Sequence, residues 1–128
     1  MRIRPVVIGD ARVLFDWRND PLTRAMSRTT DPVEWDRHVA WLTRRLEAPE
    51  PHLYIAEVDG RPVGTIRIDG EEVSYTVTPS ERGKGYAVEM LRWARERFGM
   101  LTAGIKPENE ASIRAAEKAG HNVRLLRD

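Results

Sequence analysis

The sequence predicts an α/β (α+β) domain with a single mixed β-sheet that contains an antiparallel meander and a βαβ unit and carries helices on both faces. Two observations support this class. Asp59-Gly60 and Asp69-Gly70 separate three strand-like runs, and Asp-Gly between such runs is typical of type I′ hairpins. From Val73 to Ile105, strand-like, helix-like and strand-like runs follow one another, which predicts two parallel strands joined by a crossover helix.

Capping and stop signals place the elements of the N-terminal part. Asp10 is suited to cap a first helix, and Pro21 ends that helix because proline cannot continue it. Asp31, Pro32 and Glu34 form the start pattern of a second helix. Its predicted apolar stripe is Trp35, Val39, Leu42 and Leu46. The predicted elements are a strand at 1–7, a helix at 11–18, an irregular segment at 21–30 and a helix at 31–47.

Alternation and glycines place the remaining elements. Gly99 and Gly120 each follow a helix-like run, where glycine commonly ends a helix, and Asn109 is suited to cap the second of these helices. The predicted elements are strands at 52–58, 62–68 and 71–77, a helix at 85–98, a strand at 100–105, a helix at 108–119 and a strand at 121–126.

Composition limits the classes of function. The chain has 128 residues, which predicts one domain over 1–128. Its 21 basic and 20 acidic residues give a net charge of +1, so nucleic acid and anionic membranes are not predicted as partners. Cysteine is absent, which excludes disulfides, and no metal site is predicted. No signal-like segment or apolar run of about 20 residues occurs, so we expect a cytoplasmic protein.

The most informative stretch is a glycine loop between a strand-like and a helix-like run. Gly83 and Gly85 alternate with Arg82 and Lys84 directly before the predicted helix. A loop of this kind lets main-chain N–H groups converge at a helix N-terminus, which attracts phosphate. The spacing does not fit a P-loop, and Val88 stands where a dinucleotide-binding loop has its third glycine. A tight strand–helix connection is the simpler alternative.

The loop and a downstream motif resemble those of the GNAT N-acetyltransferase superfamily. Residues 82–87 (RGKGYA) match its pattern Arg/Gln-x-x-Gly-x-Gly/Ala, and 109–113 (NEASI) and 117–120 (EKAG) are similar to its second motif. The resemblance covers nearly the whole chain. It implies a GNAT-like fold, acetyl-CoA as cofactor with coenzyme A as product, and transfer of an acetyl group to a primary amine.

The resemblance also implies which residues hold acetyl-CoA. The main chain at Val77 and Thr78 would pair with the pantetheine arm, and amides around Val77 would polarise the thioester carbonyl. Asn109 would bond the pantetheine arm and Ser112 would reach the nucleotide end, although Asn109 is equally suited to a plain helix cap. The implied pyrophosphate loop consists of Arg82, Gly83, Lys84, Gly85, Tyr86 and Ala87.

The predicted chemistry needs a base and an acid. Glu72 is the candidate base, with Glu71 as the alternative if the strand register differs, because a protonated amine must lose a proton before it attacks. Members of the superfamily often use a tyrosine as general acid where this chain has Ala116. Water could protonate the thiolate, the thiolate could leave unprotonated, or catalysis could be impaired. His121 could also substitute for the tyrosine, although such a histidine more often serves packing.

The stretch 17–26 (WRNDPLTRAM) and the pattern Glu34-x-x-x-His38-x-x-Trp41-Leu42 resemble the N-terminal half of bacterial acetyltransferases of nucleotide-linked amino sugars and, less closely, of those of ribosomal-protein N-termini. The resemblance implies an acceptor wall of Trp17, Arg18, Asn19 and Arg24. Core packing is the alternative role of the tryptophan. A small polar amine is therefore the predicted acceptor; a protein N-terminus or lysine, and a non-catalytic coenzyme A-binding domain, are the alternatives. The last strand-like run is an expected exposed edge, which a homodimer could cover.

Overall fold

The structure of the chain is a computed structural model that describes residues 1–27, 30–50 and 52–126. The strands are β1 (Arg2–Pro5), β2 (Leu53–Val58), β3 (Arg61–Asp69), β4 (Glu72–Val77), β5 (Thr102–Ile105) and β6 (Asn122–Leu125). The helices are α1 (Ala11–Arg18), α2 (Pro21–Met26), α3 (Trp35–Leu46), α4 (Tyr86–Phe98) and α5 (Glu110–Lys118).

The six strands form a single sheet in the order of the chain, β1-β2-β3-β4-β5-β6. Neighbours from β1 to β4 are antiparallel, whereas β4 and β5, and then β5 and β6, are parallel. The predicted mixed sheet, with its antiparallel meander and its βαβ unit, is confirmed. Strand β6 lies at an edge of this sheet, as the sequence predicts.

Each face of the sheet has its own core, because side chains of a strand alternate between faces. Tyr54 and Ala56 of β2 belong to the larger core, which contains Met90 and Leu91 of α4 and small residues of α5. Leu53 and Ile55 belong to the smaller core, which α1 and α3 complete. The predicted helices on both faces are therefore confirmed, and we call these the α4/α5 face and the α1/α3 face.

The α1/α3 face is covered only over part of the sheet. The buried residues of its core come from β2, α1, α3 and the segment after β1. Farther along this face, Glu72 and Thr76 of β4 are half-buried and Ser74 is exposed. The cross-strand register places these three residues on one face, opposite Asp69, Arg67 and Thr65. One face of β4 is thus left open beside helices that could form a wall.

The segment expected to be irregular after Pro21 contains helix α2. Asp20 caps this helix, since its Oδ2 accepts hydrogen bonds from the Thr23 amide and hydroxyl, each at 3.0 Å. Pro21 occupies the first turn of the helix. An Asp-Pro pair that stops one helix is also a start signal for the next, and the prediction used only the first meaning.

Helix α3 begins at Trp35, later than predicted, with Glu34 in place of Asp31 as its N-cap residue. The reason is tertiary: the side-chain amide of Asn19 brackets Val33, donating to its carbonyl at 2.9 Å and accepting from its N–H at 2.8 Å. The buried face of α3 is also displaced, because His38 is fully buried whereas Trp35 is 39% exposed. His38 Nε2 donates to the Ala11 carbonyl at 2.9 Å, which satisfies one nitrogen of the buried ring.

The two hairpin turns of the meander are of different types. At the first, Asp59 and Gly60 both have positive φ, at 51° and 77°, as a type I′ turn requires. At the second, Asp69 pairs with Glu72 and lies in the ladder, so the two-residue loop is Gly70-Glu71. Gly70 has positive φ (60°), which is the pattern of a type II′ turn. The predicted hairpin is confirmed, but its turn is displaced by one residue.

Candidate active site

A gap separates β4 from β5 beyond their first residues. Within the described chain these strands pair at one position only, Glu72 opposite Thr102, where the Thr102 amide donates to the Glu71 carbonyl at 2.8 Å. Strand β3, by contrast, pairs with β4 as far as Val77. Two parallel strands that pair only at their beginning leave main-chain groups of β4 without a partner strand on that side.

The main chain of Val77 faces this gap. The Thr78 amide donates to the Val63 carbonyl of β3 at 2.8 Å. Because the N–H and C=O groups of successive residues in a strand point to opposite sides, those of Val77 point away from β3. The prediction for Thr78 is wrong in this respect, since its amide is used in the sheet and its carbonyl accepts from the Glu81 amide at 3.0 Å.

The glycine loop follows a short 3-10 turn at Pro79–Glu81 and leads into α4. Gly83 and Gly85 have φ of 82° and 81°, a conformation that favours glycine. Gly85 is the N-cap residue of α4 and no side chain of the described residues caps the helix, so the first-turn amides are open to a ligand. A Cβ at either glycine would meet no atom of the described chain within 4 Å, so there is space before the helix. The residues present fit a bound pyrophosphate.

A buried carboxylate that the sequence analysis missed holds this loop. Glu81 is 8% exposed; its Oε1 lies 2.8 Å from Arg61 Nε and its Oε2 lies 2.8 Å from Lys84 Nζ. Hydrogen bonds from these two cations lower the pKa of Glu81 to about 2. Lys84 is therefore paired with a carboxylate within the loop. The i,i+3 spacing of Glu81 and Lys84 is the signal that could have predicted this pair.

Arg82 joins the end of β4 to helix α2. Its Nε donates to the Val77 carbonyl at 3.1 Å, and its Nη2 donates to Thr23 Oγ1 at 3.0 Å and lies 3.3 Å from Asp20 Oδ2. At the other end of α2, Lys106 Nζ donates to the Ala25 carbonyl at 2.8 Å. Helix α2 is thus tied to the chain after β4 and to the chain after β5, which lie on the two sides of the gap.

Helix α5 supplies a second contact to the gap. Asn109 is its N-cap, with Oδ1 accepting from the Ser112 amide at 3.3 Å, so the interpretation of Asn109 as a helix cap is confirmed. Ser112 Oγ lies 2.6 Å from the hydroxyl of Tyr75 on β4. Burial raises the pKa of Tyr75, since it disfavours the phenolate. Tyr75 was missed, although its period-two position beside Val77 places it on the α4/α5 face.

Glu72 lies at the closed end of the gap, at the position where β4 and β5 pair. It forms an ion pair with Arg124 of β6, which is paired opposite Gly104 on β5. Five residues of strand separate Glu72 from Val77, a span of about 16 Å. The structure thus brings Glu72 to the open face of β4, and its role as a base stays a prediction.

The four residues proposed for the acceptor wall divide into two kinds. Trp17 is 6% exposed and belongs to the core of the α1/α3 face, so its ring is not available for stacking. Asn19 uses its side-chain amide on the main chain of Val33. These two predictions of ligand contact are corrected to structural roles. Arg18 is exposed and Arg24 is half-buried, so both remain candidates.

Both the position of the usual tyrosine acid on α5 and the histidine that could substitute for it are buried. Ala116 is fully buried in the larger core. His121 is buried as well: its Nδ1 accepts from the Leu101 amide at 3.1 Å and its Nε2 donates to the Leu91 carbonyl at 2.8 Å. With both ring nitrogens engaged, His121 fastens the chain before β6 to α4 and has no free proton to deliver.

A shallow cavity of about 380 Å³ lies at the β3–β4 turn, away from the glycine loop. Its lining is Glu50, His52, Ile68, Asp69, Gly70 and Phe98. In the described residues, no group of three His, Cys, Asp or Glu could hold a metal, and no helix is long and apolar enough to cross a membrane.

Comparisons with known proteins agree with this geometry. The acetyltransferase (GNAT) domain family matches residues 1–122. An N-acetyltransferase from Staphylococcus aureus Mu50 is 27% identical with a TM-score of 0.71, over 91% of this chain and 80% of that chain. A ribosomal-protein-alanine N-acetyltransferase from Brucella melitensis is 26% identical with a TM-score of 0.72, over 94% and 83% of the two chains.

A third solved structure, a putative acetyltransferase from Salmonella typhimurium with its cofactor acetyl-CoA, is also 26% identical, with a TM-score of 0.72. The similarity covers 94% of this chain and 78% of that chain. A search of curated proteins found no significant match. The similarity to solved structures thus extends over most of both chains.

Proposed function

Because this chain belongs to the GNAT acetyltransferase family, we propose that it acetylates the primary amine of a small polar acceptor, such as a nucleotide-linked amino sugar. The chain is an N-acetyltransferase that uses acetyl-CoA. The observation that carries the proposal is the gap between β4 and β5, which begins at Glu72 and opens toward the glycine loop at the start of α4.

Acetyl-CoA supplies an acetyl group that is activated as a thioester. In our proposal the open amides of Tyr86 and Ala87, with Gly83 and Gly85 keeping the approach clear, hold its pyrophosphate. Lys84 contributes positive charge to the same loop. These residues bind and orient the donor, and none of them takes part in bond making.

Other residues act along the gap. The N–H of Val77, which points away from β3, is placed to polarise a carbonyl group in the gap. Asn109 and Ser112 lie at the start of α5. In our proposal they line the other side of the gap, where Ser112 contacts Tyr75. Arg82 links the end of β4 to α2, because its Nε donates to the Val77 carbonyl and its Nη2 donates to Thr23 Oγ1.

Glu72 is the proposed base. A primary amine with a pKa near 10 is mostly protonated at neutral pH, about one molecule in 1,000 being free. A carboxylate on the open face of β4 can take that proton through a chain of water molecules, since about 16 Å of strand separates Glu72 from Val77. Glu72 lies on this face with Ser74 and Thr76, so an acceptor bound against β4 would meet all three.

A protein N-terminus is the second candidate acceptor. The specific observation in its favour is the similarity to the ribosomal-protein-alanine N-acetyltransferase. A peptide would lie on the same open face of β4, where Ser74 is exposed. A panel of acceptors that includes an alanine-initiated peptide and a nucleotide-linked amino sugar separates the two candidates, with coenzyme A release as the readout.

Calorimetric titration with acetyl-CoA tests the donor site. Gly85→Glu places a bulky anion at the start of α4 and should abolish binding. Gly60→Glu is the matched control, because Gly60 also has positive φ (77°) and empty space around it but lies in the first hairpin turn. Equal loss in both variants would indicate general damage. Acetyl-CoA binding without acetylation of any amine would contradict the proposed activity and favour a non-catalytic domain.

Two further parts of the proposal concern the whole protein. A second copy of the chain could pair with β6, which lies at an edge of the sheet. Light scattering that gives the mass of a single chain at working concentration would remove this idea. A cytoplasmic location also stays a prediction, and fractionation of the producing cell tests it.

A further inference from the structure

Three arginines converge on one tryptophan and one aspartate beside the open face of β4. The guanidinium carbon of Arg18 lies 4.9 Å from the ring centroid of Trp41, and that of Arg45 lies 5.9 Å from the same centroid. Arg45 Nη2 lies 2.6 Å from Asp69 Oδ1, and Arg67 Nε lies 3.0 Å from Asp69 Oδ2. We call these five residues the guanidinium cluster.

The cluster carries more positive charge than its carboxylate can balance. Asp69 is shared between two arginines. Arg18 has no carboxylate partner within the described part of the chain, and both the desolvation of its guanidinium group and repulsion from Arg67 lower its pKa. The next carboxylate on this face, Glu72, is paired with Arg124. Three cations with one anion leave an excess of two positive charges at one place.

The cluster lies beside the face of β4 against which the proposed acceptor would lie. Arg67 pairs directly opposite Ser74 of β4 and shares its face. Residues directly opposite in a sheet have Cβ atoms about 5 Å apart. Three residues of strand separate Ser74 from Val77, a span of about 10 Å. A molecule of the size of an amino sugar can therefore reach from the gap to the cluster.

We propose that the guanidinium cluster is an anion subsite, which binds a phosphate group on the acceptor while the amine of the same molecule lies at the gap. Arginine suits this task because its planar guanidinium donates two parallel hydrogen bonds to phosphate. The inference rests on the proposed function and narrows it to amines that also carry a phosphate. It disfavours polyamines and other polycations, which the excess positive charge repels.

Binding of inorganic phosphate tests the subsite without any catalysis. Gly85→Glu is used as the background, so that the glycine loop cannot take the ion. Arginine Nε–H resonances are followed by nuclear magnetic resonance during the titration. We expect saturable shifts centred on Arg67 and Arg18, and a loss of affinity of about ten-fold when Arg67→Met or Arg18→Met is added. Arg44→Met is the matched control, because Arg44 is an exposed arginine of the same helix as Trp41.

Selectivity between two amines tests the role of the subsite in the reaction. Glucosamine and glucosamine 6-phosphate differ only by the phosphate group. We expect kcat/KM to be at least about ten-fold higher for the phosphorylated amine, and Arg67→Met to remove most of this preference while changing kcat/KM for glucosamine little. Arg44→Met should leave the ratio unchanged.

The outcomes separate the two proposals. Absence of saturable phosphate shifts in the Gly85→Glu background, or shifts that neither arginine variant alters, overturns the anion subsite. Equal use of the two amines overturns its role in acceptor choice and leaves the acetyltransferase proposal standing. Phosphate binding at the guanidinium cluster without acetylation of either amine supports the anion subsite and counts against the proposed acceptor.

Discussion

The two edges of strand β4 differ in almost every respect. Along the edge toward β3, β4 pairs at six positions, from Glu72 to Val77. Along the edge toward β5 it pairs at one, and the rest of that edge faces a gap. The same residues thus hold the fold with one edge and offer main-chain donors and acceptors with the other. A strand with one unpaired edge inside a sheet can bind an extended ligand through its main-chain groups, and no single side chain indicates such a site.

The largest expected effect is a loss of turnover when Glu72, at the closed end of the gap, is replaced. Glu72→Gln keeps the shape of the side chain but removes the base, so turnover of a primary amine should fall by about 10² to 10⁴-fold. Acetyl-CoA affinity should change little. Steady-state rates as a function of pH provide the measurement, since the acidic limb that reports the base should disappear.

Glu71→Gln is the matched control for that experiment. Glu71 is exposed and belongs to the turn before β4, where its main chain accepts from Thr102. A loss of turnover in this variant rather than in Glu72→Gln would move the base to the neighbouring position. Unchanged rates in both variants would remove a β4 carboxylate from the mechanism.

The paired edge is tested by a packing change. A Cβ at Gly64, opposite Val77, would lie 2.6 Å from the Thr76 carbonyl oxygen and 2.9 Å from Met90 Cε. Gly64→Ala should therefore lower the free energy of unfolding by about 1–3 kcal/mol, the cost of overpacking a core. Denaturant unfolding measures it.

Gly9→Ala controls for the added methyl group, since a Cβ there would meet only Val7 at 4.0 Å. We expect its effect to stay within about 0.5 kcal/mol. If the two alanine variants were equally stable, β3 and β4 would have more freedom to separate than their ladder indicates.

The side-chain bond between Tyr75 of β4 and Ser112 of α5 gives a smaller effect. Tyr75→Phe removes the hydroxyl that lies 2.6 Å from Ser112 Oγ and should destabilise the protein by about 1 kcal/mol. Ser112→Ala should cost a similar amount, and the double variant little more than either alone. A double-mutant cycle on thermal unfolding measures this coupling; additive losses would show that the two hydroxyls do not interact.

The smallest effect is a pH dependence at the glycine loop. Arg61 and Lys84 lower the pKa of Glu81 to about 2 from an ordinary value of 4.5. The stability that Glu81 contributes is therefore complete above pH 4.5 and is lost as the pH falls through about 2. Glu81→Gln should lower the unfolding temperature by a constant amount between pH 5 and 8, and the difference should shrink below pH 4.5. A difference that instead grows on acidification would contradict the ion-paired geometry.

The sequence predicted helix α1 and the β2–β4 meander better than helices α2 and α3. Alternation and Asp-Gly turns located β2, β3 and β4 to within a residue or two, because a period of two and a turn are local properties. Helix α2 was missed, and the start of α3 was placed too early, because Asn19 holds Val33 from a distant part of the chain. The glycine loop was also predicted from a local property, because glycine adopts positive φ readily and Gly83 and Gly85 both have it.

The partners of the charged residues could not be predicted in the same way. Arg82 bonds to Thr23 across 59 residues, and Arg45 bonds to Asp69 across 24 residues. Trp17 and Asn19 resemble ligand-binding residues in the sequence but serve the core and a loop. The partner of a long charged side chain depends on which segments lie near it in space. A sequence pattern gives only its neighbours along a strand or a helix.

By itself the sequence determined the class of fold, the meander, the βαβ unit and the glycine loop that begins α4, because each follows from local periodicity and from residues with special backbone freedom. Only the tertiary structure decided that β4 and β5 separate after Glu72 and Thr102, and that three arginines meet beside the open face of β4. Both features depend on how distant segments pack. The free energy of that packing is a sum over contacts that no short stretch of sequence contains.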